Sequence, residues 1–356
     1  MKMHNPVKID DQAASTLRSL LEEIPAVESL EVTLVPRNPS SAIELAAQLT
    51  TFGNRHKLVA TVLPSGQPRH ARLAVLSLRE YVGRQSDHVT PILIAPYLSP
   101  QVQELCREFG VAHLDFEGNA RLAFATIFIS RQVAKKPVIE RRGLRSLFKP
   151  KSVQILKVML RKSSRGWRVA ELAQAADVSL GHVSNVRNSL LDREWAKLGP
   201  EGMFLSRPDA LVDAWREAYE SPAGQRLTFY TTLHGTAFDA ALHDGSPGAT
   251  SQIARASFTA ARWLAPFVRT GTHYFYADAA GLELLRSRLK LETAGKGENL
   301  VVTVLDDPGL FRDTVQPAPG VVCTSPIQTY LDLSVAGERG QEAADHLRRE
   351  RLQWHE

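Results

Sequence analysis

The chain has 356 residues, 44% of them hydrophobic and 23% charged, with a formal net charge of +5. Those proportions exclude a disordered or fibrous protein, and the length calls for two or three domains. Two distant cysteines, Cys106 and Cys323, exclude a disulfide framework or a structural zinc site. No apolar run is long enough to span a bilayer, and Met1–Asp11 is not followed by a secretory core, so a cytoplasmic protein is expected.

Charge is unevenly distributed. Residues 131–170 hold thirteen Lys or Arg and a single acid, Glu140, which leaves the rest of the chain net acidic. A basic belt on an acidic protein is the electrostatic footprint of a polyanion partner.

In chain order, Ala13–Glu23 reads as a helix with Leu17, Leu20 and Leu21 on one face. Leu30–Val35 alternates like a strand, Ser41–Leu49 reads as helical, and Lys57–Leu63 reads as a strand closed by Pro64-Ser65-Gly66. A helix at Ala71–Val82, a buried strand at Pro91–Ala95 and a helix at Pro100–Phe109 follow. Val111–Phe116 and Arg121–Ser130 are strands separated by Gly118-Asn119. Strands alternating with helices imply a covered mixed sheet. Residues 132–150 form a basic linker with breakers Pro137, Gly143 and Pro150.

The region 151–220 carries the clearest local signal. Ser152–Arg161 is an amphipathic helix, Trp167-Arg168-Val169 a short extended piece, and Ala170–Ala175 a second helix. Asp177-Val178 is a turn, and the Ser179 hydroxyl can cap the next helix. Leu180–Asp192 places Leu180, Val183, Val186 and Leu190 on one buried face. The opposite face shows Gly181, His182, Ser184, Asn185, Arg187 and Asn188, groups suited to base edges and phosphates. Trp195–Leu198 and Met203–Leu205 flank Gly199-Pro200-Glu201-Gly202 as a wing-sized hairpin. The ordered set predicts a winged helix-turn-helix that binds duplex DNA. Arg187 is the first candidate for a guanine or phosphate contact. Because residues 171–220 are net acidic, affinity is expected from Lys149, Lys151, Lys157, Arg161, Lys162, Arg165 and Arg168.

Beyond Ser221–Gly224, residues 227–356 read as a third, α/β region. Strands are expected at Thr228–Thr232, His273–Tyr276 and Leu300–Leu305. Helices are expected at Gln252–Leu264, Gly281–Leu289, Ile327–Leu333 and Glu338–Arg351. Trp263, Phe267, Tyr274 and Phe275 are expected to fill its core. His234 and Asp306-Asp307 have no identifiable catalytic partner.

Four stretches resemble one family: GVAHLDFEGNARL (Gly110–Leu122), VAELAQAADVSLGHVSNV (Val169–Val186), ASFTAARWLAPFV (Ala256–Val268) and YLDLSVAGERGQEAADHLRRE (Tyr330–Glu350). They resemble the AbiEi-like transcriptional regulators, antitoxins of type IV toxin–antitoxin systems. The resemblance implies a repressor of its own operon and, in some members, neutralisation of a nucleotidyltransferase-like toxin. By motif match it carries Gly181, His182, Ser184, Asn185 and Arg187 as recognition positions.

Residues 1–131 also resemble the restriction-endonuclease-like fold, whose core needs an acid followed by an acid-x-Lys to hold Mg²⁺ and assist the attacking water. The strand that should carry them, Leu58–Leu63, has neither acid nor Lys. Asp115 and Glu117 on a later strand are the remaining candidates for a metal site, or simply form a turn. The expectation is an α/β multidomain chain: an inactive mixed α/β first domain, a central winged helix-turn-helix and a C-terminal α/β domain that regulates or binds a partner. Its function is expected to be operator binding as a homodimer, with no enzyme activity, metal or cofactor. Mg²⁺-dependent nuclease and toxin-binding antitoxin are the alternatives.

Overall fold

The computed structural model describes residues 6–36, 43–86, 88–133, 137–243, 251–293 and 296–354. The chain divides into two units: Met1–Gly143 with Asn188–Glu194, and Leu144–Arg187 with Trp195–Glu356.

The first unit is built on one sheet. Its elements are α1 (Pro6–Glu22), β1 (Val27–Leu34), β2 (Leu45–Thr51), β3 (Asn54–Val62), α2 (Pro68–Gly83), β4 (Val89–Ala95), α3 (Pro100–Glu108), β5 (Ala112–Asp115), β6 (Ala120–Phe124) and β7 (Ile127–Arg131). The seven strands lie in sequence order. β3, β4 and β5 are parallel, while β1–β2–β3 and β5–β6–β7 are antiparallel. Parallel pairs need crossovers, which α2 and α3 supply. Strand residues alternate between the two faces. Leu58, Ala60, Val62, Ile92 and Ile94 pack with Leu17 and Leu21 of α1. Val59, Leu93 and Ala95 pack with Val75 and Leu78 of α2 and Val102 of α3. The sheet is thus covered on both faces.

Two sequence expectations change here. Of the expected helix Ser41–Leu49, positions 41 and 42 lie outside the described residues, and Leu45 onward is strand β2. Its Leu, Ala and Gln residues favour helix, but antiparallel pairing to β1 and β3 buries Leu45, Ala47 and Leu49 together, so tertiary pairing overrides local propensity. The expected single strand Arg121–Ser130 is a hairpin, β6–β7, turned at Ala125 with φ 48°.

His113 on β5 is 5% exposed, and its Nδ1 has no hydrogen-bond partner among the described residues. Burial, helped by Arg121 and Arg107, pushes its imidazole down to about 4. The folded form therefore binds fewer protons than the unfolded chain between pH 6.5 and about 4. Stability should be intact above pH 6.5 and fall by roughly 3 kcal/mol as pH drops through that window. Urea unfolding across this range should show the slope, and His113→Gln should flatten it. An unchanged slope in the variant would rule out His113 as its source.

The second unit continues from the end of α4 (Val138–Leu147). It holds α5 (Pro150–Arg161), α6 (Val169–Ala176), α7 (Leu180–Asp192) as far as Arg187, β8 (Ala196–Gly199), β9 (Gly202–Leu205) and α8 (Pro208–Glu217). The expected linker 132–150 is thus largely helical. Next come β10 (Gly224–Tyr230), α9 (Gly235–His243), β11 (Ile253–Arg255), α10 (Ser257–Leu264), β12 (His273–Ala277), α11 (Ala279–Leu289), β13 (Glu292–Thr293) and β14 (Leu300–Leu305). A 3-10 helix, Pro308–Asp313, leads to β15 (Thr314–Ala318), β16 (Val321–Thr324), α12 (Pro326–Ser334) and α13 (Gly337–Arg351). The mixed sheet has the order β13-β10-β14-β12-β11-β16-β15. α9 and α11 cover one face through Phe238, Leu282 and Leu285.

The expected helix Gln252–Leu264 splits into β11 and α10. Ile253, Ala254 and Arg255 pair with β12, and Arg255 also pairs with Cys323 of β16. Phe275 is buried as expected, but Phe267 is 55% exposed and stacks on His346 at 4.7 Å. Burial pushes the thiols of Cys106 and Cys323 up to about 12, so neither is a ready nucleophile. Among the described residues, no helix is long and apolar enough to cross a membrane.

Candidate nucleic-acid interface

Helices α5, α6 and α7 and the hairpin β8–β9 follow one another closely in the chain. α5 begins with Pro150 at its first turn, where a missing N–H does no harm. α6 ends at Asp177 in the left-handed conformation, φ 51° and ψ 54°. There the N–H of Val178 reaches Ala173 O at 3.0 Å and that of Asp177 reaches Gln174 O at 3.3 Å, so the last carbonyls of α6 are satisfied and the chain turns sharply into α7. The Ser179 Oγ accepts from His182 N at 3.3 Å, the expected cap. Val183, Val186 and Leu190 are buried.

A single bridge residue, Trp167, pairs with the hairpin. Trp167 N donates to Met203 O at 2.8 Å and Met203 N to Trp167 O at 3.0 Å. That close approach requires glycine at Gly202, whose φ is 126° and where a Cβ would lie 2.4 Å from Trp167 O.

The residues expected on the reading face separate into free and engaged groups. Gly181, Asn185 and Asn188 are exposed, and Arg187 is half-buried. Arg187 makes no ion pair among the described residues. Ser184 donates its hydroxyl to Leu180 O at 3.0 Å, and His182 Nε2 lies 3.1 Å from Ser152 Oγ of α5, so both side chains are occupied within the unit. Leu180 corrects its expected place on the buried face: it is 57% exposed, because the first helical residue projects ahead of the packed stripe.

The basic belt is also divided. Lys149, Lys151, Lys162 and Arg168 are exposed. Arg165 lies over the Trp167 ring at 3.9 Å and near Glu171, also at 3.9 Å. Lys135 and Lys136 fall outside the described residues. Lys157 is a correction to the expected DNA set, since it is only 2% exposed. Its Nζ donates to Gln328 Oε1 at 2.9 Å and lies 3.6 Å from Asp313 Oδ2. Arg161 is likewise engaged: its Nε donates to Asp313 Oδ1 at 2.7 Å, and its Nη2 also reaches Asp313 and the Arg312 carbonyl.

This polar network extends through α12. Ser325 Oγ donates to Asp313 Oδ2 at 2.5 Å, and Gln328 Nε2 donates to Asp332 Oδ1 at 3.0 Å. Tyr219 and Tyr276 donate to the same Asp332 oxygen at 2.5 and 2.9 Å. Burial pushes the Lys157 ammonium down and the Asp332 carboxyl up from their ordinary values, opposed by the partners just named. Asp307, without an identifiable partner in the sequence, caps the 3-10 helix by accepting from Gly309 N at 2.8 Å. Arg312 pairs with Asp177 at 2.6 Å, so the 3-10 helix touches both α5 and the turn before α7. Asp313 lies 152 residues from Arg161 and Gln328 171 from Lys157 in sequence, and no local pattern announces them.

The metal candidates of the first unit adopt a different geometry. Asp115 is fully buried. Its Oδ1 accepts from Glu117 N at 3.0 Å and Asn119 N at 2.9 Å, and its Oδ2 from Leu98 N at 3.0 Å and Asn119 Nδ2 at 2.8 Å. Four donors occupy the carboxylate's acceptor sites, so it organises the turn rather than offering oxygens to a cation. Glu117 is exposed. Among the described residues, no group of three His, Cys, Asp or Glu is placed to hold a metal ion.

Residues 204–353 match a family model described as transcriptional regulator, AbiEi antitoxin, type IV TA system. Over that segment, from β9 through α13, the chain is AbiEi-like. The stretches Ala256–Val268 and Tyr330–Glu350 lie inside the match. The stretches Gly110–Leu122 and Val169–Val186 lie outside it and rest on their sequence resemblance alone. No curated protein and no solved structure matches the chain.

Proposed function

We propose that the chain is a DNA-binding transcriptional regulator in which α5–α7 and β8–β9 act as a winged helix-turn-helix. One observation carries this reading: α7, capped by Ser179 after a tight left-handed turn, leaves Asn185 exposed and Arg187 without an ion pair among the described residues, in a unit that also exposes the cations Lys149, Lys151, Lys162 and Arg168. A helix of this kind fits the major groove, where Arg pairs with guanine and Asn with adenine. Leu180, exposed at the start of α7, suits contact with a thymine methyl. The AbiEi-like segment supports a regulatory role, and repression of the chain's own operon as a homodimer is the form we favour.

Arg187→Ala should weaken binding to the upstream operator by about 1–3 kcal/mol while leaving random-sequence DNA unaffected. Lys162→Ala should weaken both alike and make the salt dependence shallower by about one unit of slope. Fluorescence anisotropy on the two DNAs at several salt concentrations measures both effects. Equal losses on operator and random DNA for Arg187→Ala would assign that side chain to phosphate and remove it from the reading face.

A second reading is favoured by the family match: residues 204–353 act as the antitoxin of a type IV pair, and the sequence resemblance alone makes its toxin nucleotidyltransferase-like. Co-purification with the product of the adjacent gene tests it. The nuclease alternative gains no support from Asp115, whose oxygens are occupied by four donors.

A further inference from the structure

A cavity of about 360 Å³ lies within the second unit, where α5 and α8 meet the 3-10 helix and α12. Its volume is at the small end of the range for ligand pockets. Val153, Trp215 and Leu310 supply an apolar wall, with Trp215 held rigid by parallel stacking on Phe148 at 5.5 Å. The lining also includes the polar groups of Lys157 and Gln328.

Lys157 is the unusual member. An ammonium has three donors, yet among the described residues only Gln328 stands at hydrogen-bond length from this one. The Asp313 oxygen at 3.6 Å is an electrostatic neighbour beyond ordinary hydrogen-bond length. Donor capacity on a buried cation is costly to leave unfilled. Among the other charged lining residues, Arg145 and Lys149 balance Glu220 and Asp307, so one net positive charge is left, which suits a singly charged anion. A single carboxylate on a flat apolar body meets all three conditions of charge, shape and volume.

We propose that this cavity binds a small aromatic monocarboxylic acid, with its carboxylate on Lys157 and its ring against Val153, Trp215 and Leu310. α5 belongs to the helices that we assign to DNA reading, whereas the 3-10 helix and α12 belong to the AbiEi-like segment. A ligand wedged between them changes the setting of α5, and with it operator affinity. That consequence rests on the proposed DNA reading, while binding of the acid does not.

Indole-3-acetate and benzoate, each compared with its neutral amide, test the site on the full chain by melting temperature and tryptophan fluorescence. The acids should raise the melting temperature. The amides should bind roughly tenfold or more weakly, the worth of one charge-assisted hydrogen bond. Val153→Trp fills the cavity and should abolish binding with the fold intact by circular dichroism. Lys157→Gln should erase the preference for acid over amide. Failure of both acids to bind the unaltered chain, or undiminished binding by Val153→Trp, overturns the site. Operator titrations with and without acid separate the two readings. Acid binding with unchanged operator affinity keeps the site and removes its regulatory role. Acid binding by a chain with no operator affinity at all refutes the DNA reading alone.

Discussion

Asp313→Ala should lower the stability of the second unit by about 3–5 kcal/mol, because it strips a buried cation of its counter-charge. Asp313 is 2% exposed, as is Lys157, and the same carboxylate also accepts from Arg161 and Ser325. Removing it leaves the Lys157 ammonium with Gln328 and the weaker influence of Asp332, in a site where burial already works against the charged form. Truncating one partner is far worse than replacing both, so Lys157→Met combined with Asp313→Leu should recover most of the loss. Urea denaturation of the single and double variants gives the comparison. An Asp313→Ala chain within about 1 kcal/mol of the original would mean that Lys157 carries no charge in the folded protein. The same geometry makes a second measurement informative. Lys157→Met should leave the salt slope of DNA binding unchanged, because a side chain closed inside the unit cannot release a counterion from phosphate.

The first unit has a comparable weak point. Asp115→Ala should cost roughly 3–5 kcal/mol, since hydrogen bonds to a buried charged acceptor are each worth about 1.5–3 kcal/mol and the freed donors relax only in part. Four donors converge on this carboxylate: three backbone N–H groups, from Leu98, Glu117 and Asn119, and the Asn119 side-chain amide. Asn119 in turn accepts from Val133 N at 2.7 Å, so the loss should spread beyond the turn. Asp115→Asn keeps the volume but places an amide donor among donors, and should be nearly as damaging. Thermal melting of both variants, with and without Mg²⁺, is the test. Stabilisation by Mg²⁺ that disappears in Asp115→Asn would restore the metal-site reading and overturn the structural one.

Local chemistry in the sequence determined a good deal. The Ser179 cap, the Asp177 turn, the apolar spacing of Val183, Val186 and Leu190, and Gly199–Gly202 in the hairpin are short-range signals, and α7 and β8–β9 fall where those signals place them. The buried runs at β3 and β4 were legible for the same reason, since a strand covered on both faces reads as continuous apolar sequence. The motifs Ala256–Val268 and Tyr330–Glu350 pointed to the AbiEi-like resemblance that the family match supports.

Only the tertiary structure decided what pairing and burial assign. Leu45–Thr51 has helix-forming residues but becomes a strand because β1 and β3 accept it on either side. Lys157 and Lys162 look alike in a count of positive charge. One is enclosed with Asp313 and Gln328, the other is open to solvent, and the residues that make the difference lie about 150 positions away. The basic belt therefore shrinks as a candidate DNA clamp. Charge density is a property of the sequence, but the availability of each charge depends on partners brought together by folding.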